Sequence, residues 1–124
     1  MKLKLYFLLG LIISISACKD TIDAEDYELK IDKKIAEIDA IIGEAESDNV
    51  EYCRIYYITG GGGCGPYFVY NSNTVDSALI HRKFDELNKL KEDYFNSGTH
   101  PTCDMAYPDS LIIENGRCKP CFRY

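Results

Sequence analysis

The sequence predicts a small α+β domain in which two amphipathic helices pack on one face of a small antiparallel sheet, with disulfides stapling the fold. Two segments with apolar residues at helical spacing alternate with two pairs of short segments rich in aromatic and β-branched residues. The order is therefore helix, two strands, helix, two strands. One antiparallel sheet covered by both helices would bury both apolar stripes. Six cysteines in 124 residues provide the candidates for staples.

The first helix is predicted over residues 26 to 46, where apolar residues recur at helical spacing and charged residues lie between them. The apolar positions are Ile31, Ile35, Ile38 and Ile42. Strands over residues 52–58 and 67–70 follow, and the loop between them contains five glycines, Cys64 and Pro66. Such a loop fits a long hairpin connection or a turn that crosses to another strand.

The second helix is predicted to begin at Asn73 or Thr74, with Asp76 near the amides of its first turn, and to end at residues 96–98. A strand over residues 111–113 follows a loop. Asn115-Gly116 then predicts a two-residue hairpin turn into a short last strand that contains Cys118-Lys119-Pro120-Cys121.

Residues 1–17 have the organisation of a secretory signal peptide, with Lys2 and Lys4 before an uncharged run that is too short to span a membrane. The run ends in Ile15-Ser16-Ala17-Cys18, which resembles the lipobox of bacterial lipoproteins. This resemblance implies that Cys18 is diacylglyceryl-modified, becomes the new N-terminus and attaches the protein to a membrane through its acyl chains. The alternative is an ordinary cleaved signal followed by an incidental cysteine.

The domain organisation follows from this resemblance: a signal peptide over residues 1–17, the lipidated cysteine and an acidic tether over 18–26, and a single domain over 27–124. Lys19-Asp20 and the acidic residues behind it resemble the short charged signals that route some Gram-negative lipoproteins to the outer membrane or cell surface. We therefore expect a location in the cell envelope, on the periplasmic or surface face of the outer membrane.

The charge of the chain excludes one class of partner. Removal of Lys2 and Lys4 with the signal peptide takes the formal net charge from −6 to −8. Neutralising phosphates requires a basic face, so we expect no nucleic-acid partner.

Five cysteines remain once Cys18 is lipidated, and outside the cytoplasm they are expected to form disulfides. Connectivity cannot be read from sequence alone. A hairpin of the first two strands would hold Cys53 far from Cys64 along the ladder, which disfavours a bridge between them. We favour the pairs Cys64–Cys103 and Cys53–Cys118, with Cys121 left over.

A zinc site is the alternative use of these residues. His100-x2-Cys103 and Cys118-x2-Cys121, separated by fourteen residues, approach the ligand spacing of tetrahedral zinc sites. An oxidising compartment counts against it, because thiolates there become disulfides, and it would leave the disfavoured pair Cys53–Cys64. A redox role for Cys118-x2-Cys121 would require a helix after the first cysteine, for which the last three residues leave no room.

The sequence predicts no enzyme and no cofactor. Gly60, Gly62 and Gly65 formally match a dinucleotide motif, but Pro66 and an aromatic strand follow them where that motif needs a helix. Tyrosines crowd the first two strands and could form a face that binds carbohydrate or protein, or could line the sheet beneath the helices. They are Tyr52, Tyr56, Tyr57, Tyr67 and Tyr70.

Residues 53–118 also resemble a group of small secreted or lipoprotein domains, through Cys64-Gly65-Pro66-Tyr67 and the closing Asn115-Gly116-Arg117-Cys118. The chain departs from that group by lacking one glycine after Cys64 and by adding Cys121. The resemblance implies a structural set of Cys53, Cys64, Cys103 and Cys118, and carries no activity. We therefore expect a non-enzymatic, lipid-anchored module that binds a protein or glycan ligand, the alternative being a zinc-binding lipoprotein.

Overall fold

The computed structural model describes residues 24–63, 65–98 and 106–123. Two helices and four strands form in the predicted order, which confirms the α+β class. The elements are α1 (Ala24–Ile42), a 3-10 turn (Val50–Tyr52), β1 (Cys53–Tyr57), β2 (Tyr67–Asn71), α2 (Ser77–Asn96), β3 (Ser110–Glu114) and β4 (Arg117–Cys121). The predicted signal peptide, Cys18 and the rest of the chain up to residue 23 lie outside the described residues.

The four strands form two separate antiparallel hairpins, whereas a single sheet was expected. Hairpin A is β1–β2, with Tyr57 opposite Tyr67, and hairpin B is β3–β4, with Glu114 opposite Arg117. The helices cover one face of hairpin A, and hairpin B packs on the other. The physical reason is that the second face of hairpin A, which includes Cys53 and Val69, is also apolar and is buried by packing against hairpin B.

The main core lies between the helices and hairpin A and is centred on Phe84 of α2, which is fully buried. The ring of Tyr56 stacks on Phe84 at a centroid distance of 4.2 Å, and Phe68 and Tyr70 lie at 5.5 and 5.8 Å. Tyr56 and Tyr70 are therefore part of the helix-facing packing, the second of the two roles considered for the tyrosines. Residues from α1 and α2, with Ile58 directly after β1, complete the core: Ile31, Ile38, Ile58, Ile80, Leu87 and Tyr94.

Both helices begin or end away from their predicted limits for local reasons. α1 begins at Ala24, within the segment assigned to the tether, and ends at Ile42, because Gly43 adopts a positive φ of 62°. α2 begins at Ser77, three residues after Thr74, since the side chain of Asn71 accepts a hydrogen bond from Asn73 N and holds a turn there. Asp76 then caps α2 by accepting from Leu79 N.

The predicted turn between β3 and β4 is present. Asn115 and Gly116 both have positive φ, 53° and 73°, as a type I′ turn requires.

A four-charge cluster, formed by Lys34 and Glu37 of α1 with Lys83 and Glu86 of α2, joins the two helices. Lys34 Nζ lies 2.7 Å from Glu86 and 3.0 Å from Glu37, while Lys83 Nζ lies 3.5 and 3.4 Å from the same carboxylates. Hydrogen bonds from Lys34 lower the pKa of Glu37 and of Glu86. The hydrogen bonds to Glu86 and Glu37 raise the pKa of Lys34 in turn.

Stability is expected to depend on this cluster in acid. Because the folded pKa values of Glu37 and Glu86 lie below the usual 4.5, their contribution is present above that pH and is lost as pH falls through the folded values. Lys34→Met should therefore shrink the fall in the urea midpoint between pH 6 and pH 3. Lys89→Met, which removes only an exposed ion pair within α2, serves as the control. Equal falls in wild type and Lys34→Met would contradict the assignment.

Candidate functional site

A disulfide joins Cys53 of β1 to Cys118 of β4, with the two Cα atoms 5.7 Å apart. This is the pairing favoured from the sequence. Both residues are buried and lie in a small second core with Ala45, against Ile42, Val69, Leu111 and Ile113. The bond therefore links hairpin A directly to hairpin B.

The remaining cysteines divide into two groups. Cys64 and Cys103, whose bridge was also favoured, lie outside the described residues, as does His100. Cys121 is free and partly buried.

The structure counts against the zinc alternative built from His100, Cys103, Cys118 and Cys121. Cys118 is oxidised with Cys53, so it offers no thiolate. Cys118 and Cys121 also lie in one strand three positions apart, where alternation directs their side chains to opposite faces, whereas the prediction needed a turn. Within residues 24–63, 65–98 and 106–123, no group of three His, Cys, Asp or Glu residues could hold a metal.

A cleft of about 630 Å³, lined mostly by polar residues, opens beside the disulfide, between the two hairpins. We call it the inter-hairpin cleft. One wall comes from the chain before β1 and the turn after β2, and the other from the end of β3 and the turn of hairpin B. Its lining residues are Glu46, Ser47, Asp48, Tyr52, Asn71, Asn73, Thr74, Ile113, Asn115, Gly116 and Arg117.

Backbone and buried side-chain hydrogen bonds hold the cleft in shape. Asn71, which is buried, donates from Nδ2 to Glu46 O at 2.6 Å and accepts from Asn73 N at 2.8 Å. Ser47 N donates to Gly116 O at 2.9 Å, which ties the turn of hairpin B to the opposite wall. The ring of Tyr52 is 40% exposed, so it can meet a ligand.

The chemistry of the inter-hairpin cleft is that of a polar binding site with one aromatic surface. Carboxylates accept hydrogen bonds, amides both accept and donate, and the Arg117 guanidinium donates. Arg117 is oriented by an ion pair with Glu44. The side chains of Asp48, Asn73, Thr74 and Asn115 are exposed. No histidine or cysteine is among the described residues that line the cleft.

The glycine loop after β1 packs closely on α2. Asn88 Oδ1 accepts from Thr59 N and Gly60 N, both at 3.0 Å, and Nδ2 donates to Tyr56 Oη at 3.3 Å. A Cβ added at Gly60 would lie 2.2 Å from Asn88 O, so only glycine permits this approach. The role of Asn88 could not be predicted from the sequence, because a helix-surface asparagine gives no signal of a partner 28 residues earlier.

The tyrosines do not form a common ligand face. Tyr57, Tyr67, Tyr107 and Phe122 make a second aromatic cluster, with neighbouring centroids 5.5 to 6.5 Å apart. The Tyr57 hydroxyl donates to Pro108 O and the Tyr107 hydroxyl to Gly63 O, both at 2.9 Å. These rings therefore hold the segment before β3 against hairpin A. Tyr52 is the one predicted tyrosine that lines the inter-hairpin cleft.

Comparison of the chain with protein-family models, curated proteins and solved structures finds no match. In the part of the chain that the structure describes, neither helix is long and apolar enough to cross a membrane.

The disulfide should contribute measurably to stability. The bond spans a sequence separation of 65, and a staple of this kind typically contributes about 2 to 4 kcal/mol. The double change Cys53→Ser with Cys118→Ser should lower the free energy of unfolding, measured in urea, by that amount. Cys121→Ser should shift it by less than about 0.5 kcal/mol. An unchanged midpoint in the double variant would show that the bond is dispensable.

Proposed function

We propose that the protein is a non-enzymatic lipoprotein of the cell envelope, anchored through Cys18 to the outer membrane, whose domain binds a glycan in the inter-hairpin cleft. The buried Cys53–Cys118 disulfide is the observation that carries the extracytoplasmic part, because such bonds form and persist in oxidising compartments. It supports the export that the N-terminal sequence predicts. The same bond uses a cysteine that the zinc alternative requires.

The cleft is the feature that favours a glycan over other ligands. A sugar presents many hydroxyl groups and one or more C–H faces, and the cleft offers polar side chains around the exposed ring of Tyr52. An amphipathic ring such as tyrosine covers a C–H face at little entropic cost. Because Asn71 and the disulfide already hold the walls of the cleft in place, binding costs little conformational entropy of the protein.

The anchor is tested by acyl labelling in cells that express the full chain with labelled palmitate. We expect wild type to be labelled and to fractionate with membranes, and Cys18→Ala to lose the label. Cys121→Ala, which changes a different free cysteine, should remain labelled. Label retained by Cys18→Ala would contradict the anchor.

Glycan binding is tested with the full chain in mild detergent on immobilised neutral oligosaccharides, including hexose and N-acetylhexosamine oligomers. Tyr52→Ala should weaken binding about tenfold, which corresponds to about 1.4 kcal/mol. Leu29→Ala is the control, because Leu29 is 67% exposed on α1 and lies outside the cleft. Failure of wild type to bind any of these sugars would contradict the glycan ligand. Equal loss in both variants would contradict the assignment of the site to the cleft.

A further inference from the structure

The two edges of hairpin B differ in how they are covered. Along the outer edge of β4, Cys118 N donates to Ala45 O at 2.9 Å and Glu46 bridges to Arg117. Pro120, the next residue whose amide position faces outward, has no N–H to offer. This edge is therefore closed to further strand pairing.

In the part of the chain that the structure describes, no strand pairs with the outer edge of β3. Glu114 and Arg117 flank the two-residue turn and form a hydrogen-bonded pair. Because hydrogen-bonded pairs alternate along an antiparallel ladder, the backbone groups of Ile112 and Ser110 also bond to β4, at Lys119 and Cys121. Leu111 and Ile113 consequently direct their N–H and C=O groups outward. These groups have no hydrogen-bond partner among the residues described.

Apolar side chains and free space lie along the same edge. Ile112 is 41% exposed and Val50 is 46% exposed. A groove of about 500 Å³ lies between residues 48–50 and residues 111–113. Natural sheets usually protect an edge with a charge pointing inward, a proline or a covering segment. β3 contains no proline, and its three central residues are apolar.

We propose that β3 is a self-association edge, which pairs antiparallel with β3 of a second copy of this chain about a two-fold axis at Ile112. In this register, Leu111 faces Ile113 of the second copy, and the outward N–H and C=O groups of both pair reciprocally. Four backbone hydrogen bonds form across the axis. The inference goes beyond the proposed function and does not depend on it.

The side chains favour a second copy over an unrelated peptide. On the outer face, Ile112 meets Ile112 of the second copy with Lys119 on either side, and Ser110 faces Glu114 of the second copy. The serine hydroxyl can donate to that carboxylate, which lies beside Arg117 on its own hairpin. No two carboxylates face each other directly in this register. On the inner face, the row of Leu111 and Ile113 continues from one copy into the other.

The register can be trapped chemically. In an antiparallel pair without direct hydrogen bonds, opposing Cα atoms lie about 4.5 Å apart, within the range that a disulfide spans. Ile112→Cys, made in a Cys121→Ser background so that the native thiol does not contribute, should form a disulfide-linked dimer on mild oxidation of intact cells expressing the full chain. Non-reducing electrophoresis measures the dimer fraction.

Glu114→Cys in the same background is the matched control, because it is exposed on the same strand and face but lies far from its own copy in this register. We expect at least fivefold more dimer from Ile112→Cys than from Glu114→Cys. Equal fractions would overturn the proposal, since they would reflect random collision. Cross-linking of Ile112→Cys to a different protein would also overturn it and would identify β3 as an edge for a foreign strand.

Discussion

The Cys53–Cys118 bond is the covalent constraint that fixes hairpin B against hairpin A. The contact layer beneath hairpin B is small, since its buried members are Ala45 and the two cysteines themselves, with Ile42, Val69, Leu111 and Ile113 partly buried against them. The main core around Phe84 is formed by the helices and hairpin A without any contribution from β3 or β4. A layer with little buried apolar area gains little stabilising free energy from the hydrophobic effect. The disulfide adds to the stability of this contact by restricting the unfolded chain.

The shape of the inter-hairpin cleft also depends on the contact between the two hairpins. One wall belongs to hairpin B and the other to the segments around hairpin A, so the width of the cleft is set by whatever holds the hairpins together. Cys53 lies opposite Asn71 in the ladder of hairpin A, and Asn71 lines the cleft. The disulfide and the cleft-lining residues are thus neighbours, so the bond that joins the two hairpins also helps to hold the cleft in shape.

Much of the local structure could be predicted because it depends on short-range signals. The positive-φ turn at Asn115-Gly116, the cap at Asp76 and the alternation that places Tyr57 with Cys53 follow from residues close in sequence. The division into two hairpins could not be predicted, because it depends on tertiary packing: the helices pack on one face of hairpin A and hairpin B packs on the other. The cleft was missed for the same reason, since Asn71, Asn115 and Arg117 meet only after hairpin B has folded back.

The closed edge of β4 also limits how far strand pairing can extend. If both edges of hairpin B were open, each added copy would expose a fresh edge and the chains could polymerise into fibres. Ala45 and Pro120 prevent this, because they occupy or remove the donors on the far side of β4. Among the residues that the structure describes, the outer edge of β3 is therefore the edge through which hairpin B can extend its sheet, and the proposed pairing would be complete with two copies.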